Sequence, residues 1–256
     1  SIEEEFGIAV DESEITSETS VAELKGKIET RAQKVEKYEF KEWPLSAVAR
    51  IIRWFLQQIL VNSWLSFYAP TKVEGLENLG NLELPAIFFV NHVGGLDAPI
   101  ALRALPGRIR NRLAVAAAID AMHEHPKFAK YAGFLTLLIN VYPFGRRKQN
   151  QIKSSLEYTG RLLDRGFSVL VFPEGGVSQS GKLLPLKEGA GFLAVEMNVP
   201  VVPVKLIGAR EVYHPKKTFP ELPARHDVIV RLGKPMAFST KDSYIEVTKL
   251  IEKALR

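Results

Sequence analysis

Short apolar runs alternate with stretches of helical periodicity from residue 70 to the end of the chain. The apolar runs cover 86–91, 112–118, 167–175 and 199–207, and the helical stretches cover 99–105, 150–166, 189–197 and 243–256. The apolar runs lack strict alternation with polar residues, which indicates strands buried on both faces, and the helical stretches between them fit crossover connections. The sequence therefore predicts an α/β domain over residues 70–256, with a largely parallel sheet flanked by helices.

The charges of the chain are unevenly distributed. Residues 1–29 carry nine acidic and two basic side chains, and because the whole chain has a formal net charge of +5, residues 30–256 carry +12. A basic body favours anionic partners such as phosphorylated metabolites, nucleic acid or an anionic lipid surface. The tryptophans mark one helix and are not interleaved with basic residues along a groove, so no nucleic-acid partner is expected.

The acidic segment 1–29 contains "EEEFGI" and "TSVAEL". These residues resemble the second half of an acyl carrier protein, where an acidic helix ends in Glu-Glu-Phe and a last helix opens with Thr-Val. The Asp-Ser-Leu motif that carries phosphopantetheine in that family is absent here. We therefore interpret residues 1–29 as a truncated carrier-like domain, with an acidic tail as the alternative. The acidic start also predicts that no signal peptide is present.

Residues 30–69 are expected to hold a charged linker followed by amphipathic helices. One helical face carries Ser46, Arg50, Arg53 and Gln57, and apolar residues cover the opposite face. The arginines argue against a membrane-spanning helix, which needs about 20 mostly apolar residues. All three tryptophans of the chain fall here, which favours a helix in the membrane interface over one packed on its own domain. The expected interface residues are Trp43, Arg50, Arg53, Trp54, Trp64 and Tyr68.

The apolar run 86–91 breaks into a polar turn, "NHVGGLD", before the next helical stretch. Asn91 ends the run, Gly94 permits a tight turn, and Asp97 stands at the expected helix start. The turn can bring the Asp97 carboxylate to His92, where it would hold the imidazole in one tautomer and stabilise its protonated form. No cysteine occurs in the chain and no serine adjoins the pair, so we expect His92 to deprotonate a substrate hydroxyl. A capping Asp97 beside an uninvolved His92 is the alternative.

A second apolar run ends in Pro173, Glu174 and Gly175. A carboxylate on a glycine turn at a strand end can accept hydrogen bonds from a polyol substrate or hold neighbouring loops in place. Arg146 opens a basic cluster, and guanidinium groups bind phosphate in bidentate geometry. The two histidines of "MHEHP" are expected at a helix end, because no third metal ligand accompanies them. The chemistry predicted at these positions is therefore substrate binding without a metal.

Four ordered motifs resemble those of the glycerolipid acyltransferase family, which includes 1-acylglycerol-3-phosphate acyltransferases. They are Asn91-His92-xxxx-Asp97, "YPFGR" ending at Arg146, "FPEG" at 172–175 and "VPVVPV" at 199–204. The resemblance implies an α/β acyltransferase fold and transfer of a fatty acyl group to a hydroxyl of a lysophospholipid or acylglycerol phosphate. It implies acyl-CoA or acyl carrier protein as the donor, and no metal or prosthetic group.

The resemblance also implies a role for each motif residue. His92 would be the general base and Asp97 its orienting partner. The acceptor and its phosphate would contact Arg146, Glu174, Gly175, Ser178 and Lys182, and the structural positions would be Asn91, Gly94, Pro173 and Pro200. The third motif usually continues Thr-Arg-Ser, but Gly176 and Val177 stand in the first two places. A usual acceptor-binding arginine is therefore missing, and Lys182 or Lys187 is the expected substitute.

Together these expectations describe a peripheral or monotopic enzyme on the cytoplasmic face of a membrane. Its expected partners are the lipid surface, a lysophospholipid acceptor, and acyl-CoA or an acyl carrier protein, the latter favoured by the carrier-like segment. Two other interpretations of the same residues remain. One is a catalytically weakened lipid- or carrier-binding module, and the other is an acyl thioester hydrolase in which His92 activates water.

Overall fold

The computed structural model describes residues 41–118, 126–145, 149–217 and 221–256. The carrier-like segment expected at 1–29 lies outside these ranges, as do Arg146 and the two histidines of "MHEHP". The domain boundaries expected near residues 30 and 70 stay predictions.

Seven strands form one mixed sheet. They are β1 (Thr71–Glu74), β2 (Ile87–Val90), β3 (Leu113–Ala118), β4 (Val141–Phe144), β5 (Ser168–Val171), β6 (Val201–Ile207) and β7 (Val228–Leu232). Their order across the sheet is β1-β7-β6-β2-β5-β3-β4. Strands β6 and β7 pair antiparallel, and the other neighbouring pairs are parallel. The predicted α/β fold with a largely parallel sheet is confirmed.

Helices connect the strands and cover the sheet. They are α1 (Ala47–Leu56), α2 (Asn62–Tyr68), α3 (Asp97–Ala104), α4 (Gly107–Arg110), α5 (Pro126–Ile139), α6 (Gln149–Asp164), α7 (Gly189–Glu196), α8 (Ala209–Val212) and α9 (Tyr244–Leu255). Two 3₁₀ turns, Trp43–Leu45 and Leu76–Leu79, and a π-helical segment, Gln57–Val61, complete the described elements. The four predicted helical stretches correspond to α3, α6, α7 and α9, whereas α5, β1, β4 and β7 were not predicted.

Strand β2 lies in the middle of the core. Phe88 belongs to a buried cluster that includes residues of α3, whereas Phe89 belongs to a second cluster that includes residues of α7 and α9. Successive side chains of a strand point to opposite faces of the sheet, so both faces of β2 are covered. Each fully buried phenylalanine contributes about 1.5–3 kcal/mol, which explains why this run is apolar without alternation.

The N-terminal helix continues from α1 through the π-helical segment into α2. The Ser46 side chain accepts a hydrogen bond from the Ala49 backbone N–H at 3.2 Å and caps the first turn. Within the described ranges, no helix combines the length and the apolar character needed to cross a membrane.

The polar face of this helix packs against the body of the protein. Arg53 is 4% exposed, and its guanidinium donates hydrogen bonds to the carbonyl oxygens of Leu137 at 2.9 Å and Pro44 at 3.0 Å. Gln57 is also buried and donates to the carbonyl oxygen of Leu138 at 2.9 Å. The expectation that Arg53 lies in the membrane interface is wrong, because its guanidinium satisfies carbonyl oxygens near the C-terminal end of α5. Burial lowers the pKa of Arg53 to about 10, so the group stays protonated at neutral pH.

The opposite face of the helix leaves large apolar side chains uncovered. This apolar face consists of Val48, Ile51, Ile52, Trp54, Phe55, Ile59, Leu60, Trp64 and Phe67. Trp43 is exposed beside it, whereas Arg50 and Tyr68 are half-buried. A helix packed on its own domain in the ordinary way would bury its apolar face and expose its polar face. That alternative is wrong, since the two faces are reversed here.

Candidate active site

The candidate site lies at the carboxyl end of β2. The backbone N–H of Asn91 approaches the carbonyl oxygen of Val204. The Asn91 side chain accepts a hydrogen bond from the Leu206 N–H at 2.6 Å and donates to the Leu206 carbonyl oxygen at 3.1 Å. The buried amide thus continues the pairing with β6 beyond the end of the strand. His92 follows at the point where the chain leaves the sheet.

His92 and Asp97 form a direct pair. The distance from His92 Nδ1 to Asp97 Oδ2 is 2.8 Å, and the same oxygen accepts the backbone N–H groups of Val93 at 2.6 Å and Gly94 at 2.8 Å. Asp97 is fully buried at the first position of α3, where the helix dipole favours a negative charge. Because an ionised carboxylate only accepts hydrogen bonds, Nδ1 carries the proton and Nε2 is left as the basic nitrogen.

The His92 ring is held between a carboxylate and an aromatic ring. Its side chain is 23% exposed, and it stacks on Phe172 with ring centroids 4.1 Å apart and an interplanar angle of 19°. The stack restricts rotation of the imidazole, and part of the side chain stays exposed. Sequence reasoning missed Phe172 as a site residue, although it directly precedes the Pro-Glu-Gly turn.

Glu174 braces the backbone around His92. One of its carboxylate oxygens accepts the His92 backbone N–H at 2.5 Å, and the other accepts the Leu184 backbone N–H at 2.6 Å. The carboxylate is buried, which raises the pKa of Glu174, while these two hydrogen bonds partly offset the rise. The expectation that Glu174 binds the acceptor is wrong. Of the two roles weighed for this carboxylate, the structure shows that of holding neighbouring loops in place.

Ser178 clamps the same backbone from the other side. Its N–H donates to the His92 carbonyl oxygen at 2.8 Å, and its hydroxyl donates to the Lys182 carbonyl oxygen at 2.6 Å. The side chain is fully buried, so the expectation that Ser178 contacts the acceptor is wrong. The Lys182 side chain is exposed on the same loop.

Gly94 allows two chain segments to approach closely. A Cβ atom at this position would lie 2.9 Å from the Ala209 carbonyl oxygen and 3.0 Å from that of Tyr213. The next residue, Gly95, donates its N–H to the Tyr213 carbonyl oxygen at 3.0 Å. The N–H groups of both glycines are therefore engaged within the protein.

Two prolines hold loops to their neighbours through their carbonyl oxygens. Pro173 accepts the Lys187 N–H at 2.9 Å, and Pro200 accepts the N–H of Ile87, the first residue of β2, at 2.9 Å. Pro173 thus ties the Pro-Glu-Gly turn to the loop that precedes α7. Pro200 lies at the opposite end of β2 from His92, where it joins the start of β2 to the start of β6.

The turn after Glu174 brings a lysine side chain toward the site. Gly175 has a left-handed φ of +69°, and a Cβ there would contact the Lys187 side chain at 3.3 Å. A Cβ at Gly176 would meet nothing within 4 Å, and Val177 is half-buried. Open space thus lies where the resembled family carries a larger side chain, with an exposed lysine alongside.

The described residues include no group of three or more histidine, aspartate or glutamate side chains that could hold a metal ion. Within the same ranges, the polar groups that converge at the end of β2 are the His92–Asp97 pair and the groups that brace it. The arrangement is that of a partly exposed imidazole held by a buried carboxylate, with exposed lysine side chains in the neighbouring loop.

Comparison with known proteins identifies the family. Residues 70–207, more than half of the chain, match the family model described as Acyltransferase. The chain belongs to this acyltransferase family. The matched range contains the His92–Asp97 pair and the loop that braces it, and it ends with the last residue of β6.

Named relatives agree with this assignment. The acyltransferase is 30% identical over 181 residues to the chloroplastic 1-acyl-sn-glycerol-3-phosphate acyltransferase BAT2 of Brassica napus, covering 67% of this chain and 46% of the relative. It is 28% identical over 136 residues to the human 1-acyl-sn-glycerol-3-phosphate acyltransferase beta, covering 53% of this chain and 46% of the relative. The chain therefore spans about half the length of these curated relatives.

A solved structure shares the fold of the acyltransferase. The crystal structure of the 1-acyl-sn-glycerophosphate acyltransferase PlsC from Thermotoga maritima aligns with a TM-score of 0.59 and 22% sequence identity. The alignment covers 91% of this chain and 86% of that one.

Proposed function

We propose that this acyltransferase moves a fatty acyl group from a thioester to a free hydroxyl of an acylglycerol phosphate or another lysophospholipid. The observation that carries the proposal is the His92–Asp97 pair, with Nδ1 bound to a buried carboxylate and the imidazole side chain partly exposed. The matched family and the names of the curated relatives support this reaction class.

In the proposed mechanism, His92 Nε2 takes the proton of the acceptor hydroxyl while the hydroxyl oxygen attacks the thioester carbonyl carbon. The tetrahedral intermediate collapses with cleavage of the carbon–sulfur bond, and the leaving thiolate recovers the proton from His92. Asp97 stabilises the imidazolium that exists between these two transfers. A positioned general base of this kind accelerates a reaction by about 10²–10⁴-fold. Every transferred atom comes from the two substrates, so the scheme includes no cofactor.

The braces around His92 are proposed to position the base without touching substrate. Glu174 holds the His92 N–H and Ser178 holds the His92 carbonyl oxygen, so the peptide groups on both sides of this residue are fixed. The Phe172 stack fixes the plane of the ring. Such preorganisation matters because a misplacement of about 1 Å can cost about 10²-fold in rate.

The phosphate of the acceptor is proposed to lie near the loop that follows Glu174. The Lys187 side chain contacts the turn at Gly175, and Lys182 is exposed on the same loop. Both supply point charges in place of the planar guanidinium that Val177 replaces. Arg146, expected to bind the same phosphate, lies outside the described residues and stays a prediction.

The apolar face of the N-terminal helix is proposed to lie in the membrane interface, with Trp43, Trp54 and Trp64 near the headgroups. Its exposed apolar side chains would be stable in that setting and costly to hydrate. Such a peripheral or monotopic placement, on the cytoplasmic face, would bring a lysophospholipid acceptor to the protein from the bilayer. The donor would be acyl-CoA or an acylated carrier protein.

The test is acyl transfer by wild type and His92→Ala, using labelled acyl-CoA or acylated carrier protein and a panel of lysolipids, with products identified by mass. We expect esterified lipid from wild type and at least an approximately 10²-fold lower rate from the variant. Free fatty acid as the main product would instead identify a thioester hydrolase. Lipid binding without any acyl transfer by wild type would identify a binding module.

A further inference from the structure

A notch of about 360 Å³ lies between α1 and the turn that precedes β3. Its walls are Ala47, Arg50, Ile51, Trp54 and Asn111. Asn111 lies two residues before β3, and His92 lies two residues after β2. Both strands run parallel to β5, which lies between them. The notch and the candidate active site are therefore at opposite edges of the sheet, and the notch has no role in the mechanism proposed above.

Arg50 is a cation without an acceptor in the described part of the chain. Its Nε atom is buried and makes no hydrogen bond, and no described carboxylate forms an ion pair with its guanidinium. The neighbouring Arg53 cannot serve as a partner for Arg50. Its guanidinium is also positively charged and repels Arg50, and it donates its hydrogen bonds to carbonyl oxygens. Buried donors in proteins are almost always paired. Arg50 is half-buried and lines the notch, so an oxygen ligand bound in the notch would give this guanidinium an acceptor.

The walls of the notch indicate the chemistry of that ligand. The Arg50 guanidinium and the Asn111 amide supply polar hydrogens suited to phosphate oxygens. The remaining walls are apolar, and two of them, Ile51 and Trp54, belong to the exposed apolar face of the helix. A ligand that fills the notch therefore has an anionic group beside Arg50 and a hydrocarbon portion that continues onto this face.

We propose that the notch binds an anionic glycerophospholipid of the bilayer, with its phosphate at Arg50 and Asn111 and the start of an acyl chain along Ile51 and Trp54. This proposal rests on the membrane placement of the apolar face proposed above and is independent of acyl transfer. A bound lipid would hold the N-terminal end of the helix at the headgroup level. Free phosphate would satisfy Arg50 but would leave the apolar walls uncovered.

The test measures which lipid lies next to Trp54. A protein with the Trp43→Phe and Trp64→Phe substitutions retains Trp54 as its single tryptophan. It is mixed with vesicles of phosphatidylcholine and phosphatidylglycerol in equal amounts, in which either one or the other lipid carries bromine atoms near the carbonyl end of its chains. We expect brominated phosphatidylglycerol to quench Trp54 more strongly than brominated phosphatidylcholine.

Substitutions in the notch should remove this preference. Arg50→Gln should lower it about five-fold, the effect of about one cation at an anionic membrane, and Asn111→Asp should lower it by placing a negative charge opposite Arg50. The matched control is Arg256→Gln, which removes one positive charge from the exposed end of α9 and should leave the preference unchanged. Since the Arg50 side chain makes no hydrogen bond in the described structure, the variants should fold normally.

Three results would overturn the proposal. Equal quenching by the two lipids would show that the notch does not select an anionic headgroup. An equal effect of Arg50→Gln and Arg256→Gln would reduce the preference to bulk charge. Loss of the preference on addition of inorganic phosphate, but not of sodium chloride at equal ionic strength, would identify a free-anion site.

The same protein samples also test the proposed acyl transfer separately from the proposed lipid site. Acyl transfer to a soluble short-chain acceptor should survive in Arg50→Gln, because Arg50 lies at the sheet edge away from His92. Absence of transfer by wild type would reject the activity while the quenching result stands. Absence of any Trp54 quenching by vesicles would reject the membrane placement and the lipid site together.

Discussion

Replacing Asp97 with asparagine should remove one charge from the buried pair and leave its geometry in place. Asp97 Oδ2 faces three donors, namely His92 Nδ1 and the N–H groups of Val93 and Gly94, whereas the buried Oδ1 has no partner among the described residues. The asparagine oxygen should take the Oδ2 position, because an amide NH₂ group there would face these donors. His92 then keeps its proton on Nδ1, and Nε2 stays the basic nitrogen.

The expected loss of kcat comes only from removal of the negative charge of Asp97. A carboxylate and an imidazolium with centres about 4 Å apart attract each other by about 4 kcal/mol at an effective dielectric constant of about 20. The asparagine dipole retains part of this attraction when the imidazolium forms. We therefore expect kcat to fall by about 10²–10³-fold, which corresponds to about 3–4 kcal/mol. The KM of both substrates should change little, because no substrate contact is altered.

Steady-state acyl transfer with product mass analysis checks this prediction. Asp164→Asn, at an exposed position near the end of α6, is the matched control and should be fully active. In a protein that also carries His92→Ala, Asp97→Asn should cause no further loss, because the two residues act as a unit. A correctly folded Asp97→Asn protein within about tenfold of wild-type kcat would refute the role given to the carboxylate charge.

Three further predictions concern the buried Arg53, the apolar face of the N-terminal helix and the Glu174 brace of His92. Arg53→Met should lower the free energy of unfolding by about 3 kcal/mol, because buried carbonyl oxygens lose a charged donor; an unchanged urea midpoint would contradict this. Ile59→Glu should weaken vesicle binding by about tenfold or more. Leu250→Glu, at a leucine of α9 that is also exposed to solvent, should not weaken it. Glu174→Gln tests the pH dependence of stability. Burial raises the folded-state pKa of Glu174 above its usual 4.5. The contribution of the Glu174 carboxyl group to stability is therefore complete below pH 4.5 and is lost as pH rises through the folded-state pKa. The unfolding free energy of wild type relative to Glu174→Gln should fall across that window, and a constant difference would exclude the shift.

The buried strands were predictable because their sequences admit few alternatives. The strand β2 is apolar throughout, and β5 and β6 each contain a single polar residue, Ser168 and Lys205, which fits strands covered on both faces. Strand β1, with the sequence Thr-Lys-Val-Glu, carries two charged residues in four and lies at the sheet edge. Its apolar pattern is too short to be recognised, and its place in the sheet depends on pairing with β7 far along the chain. Nonlocal pairing of this kind leaves little trace in local sequence.

Helical periodicity identified the two faces of the N-terminal helix but not their orientation. The spacing of Arg53 and Gln57 shows that they share a face, yet nothing in the spacing shows that carbonyl oxygens near the end of α5 would need donors there. That need arises only after α5 and β4 are placed, and α5 was not predicted. The interface assignment of Arg53 failed for this reason.

The contact between His92 and Asp97 was predictable, and the groups that hold the His92 backbone were less so. The five-residue separation of His92 and Asp97 around glycines suggested their contact, which the structure places at 2.8 Å. Glu174 and Ser178 belong to a loop from another strand. Their hydrogen bonds to the His92 backbone depend on how β2 and β5 lie side by side, so their burial could not be read from the motif.

The two hydrogen bonds of Glu174 join three segments into one unit: the loop after β2, the turn after β5 and the loop segment at Leu184. A genetic screen for lost activity would therefore recover changes at Glu174 as readily as changes at His92. Only the dependence of rate on temperature and denaturant would tell the two apart, because a loosened frame should regain turnover on cooling and an absent base should not.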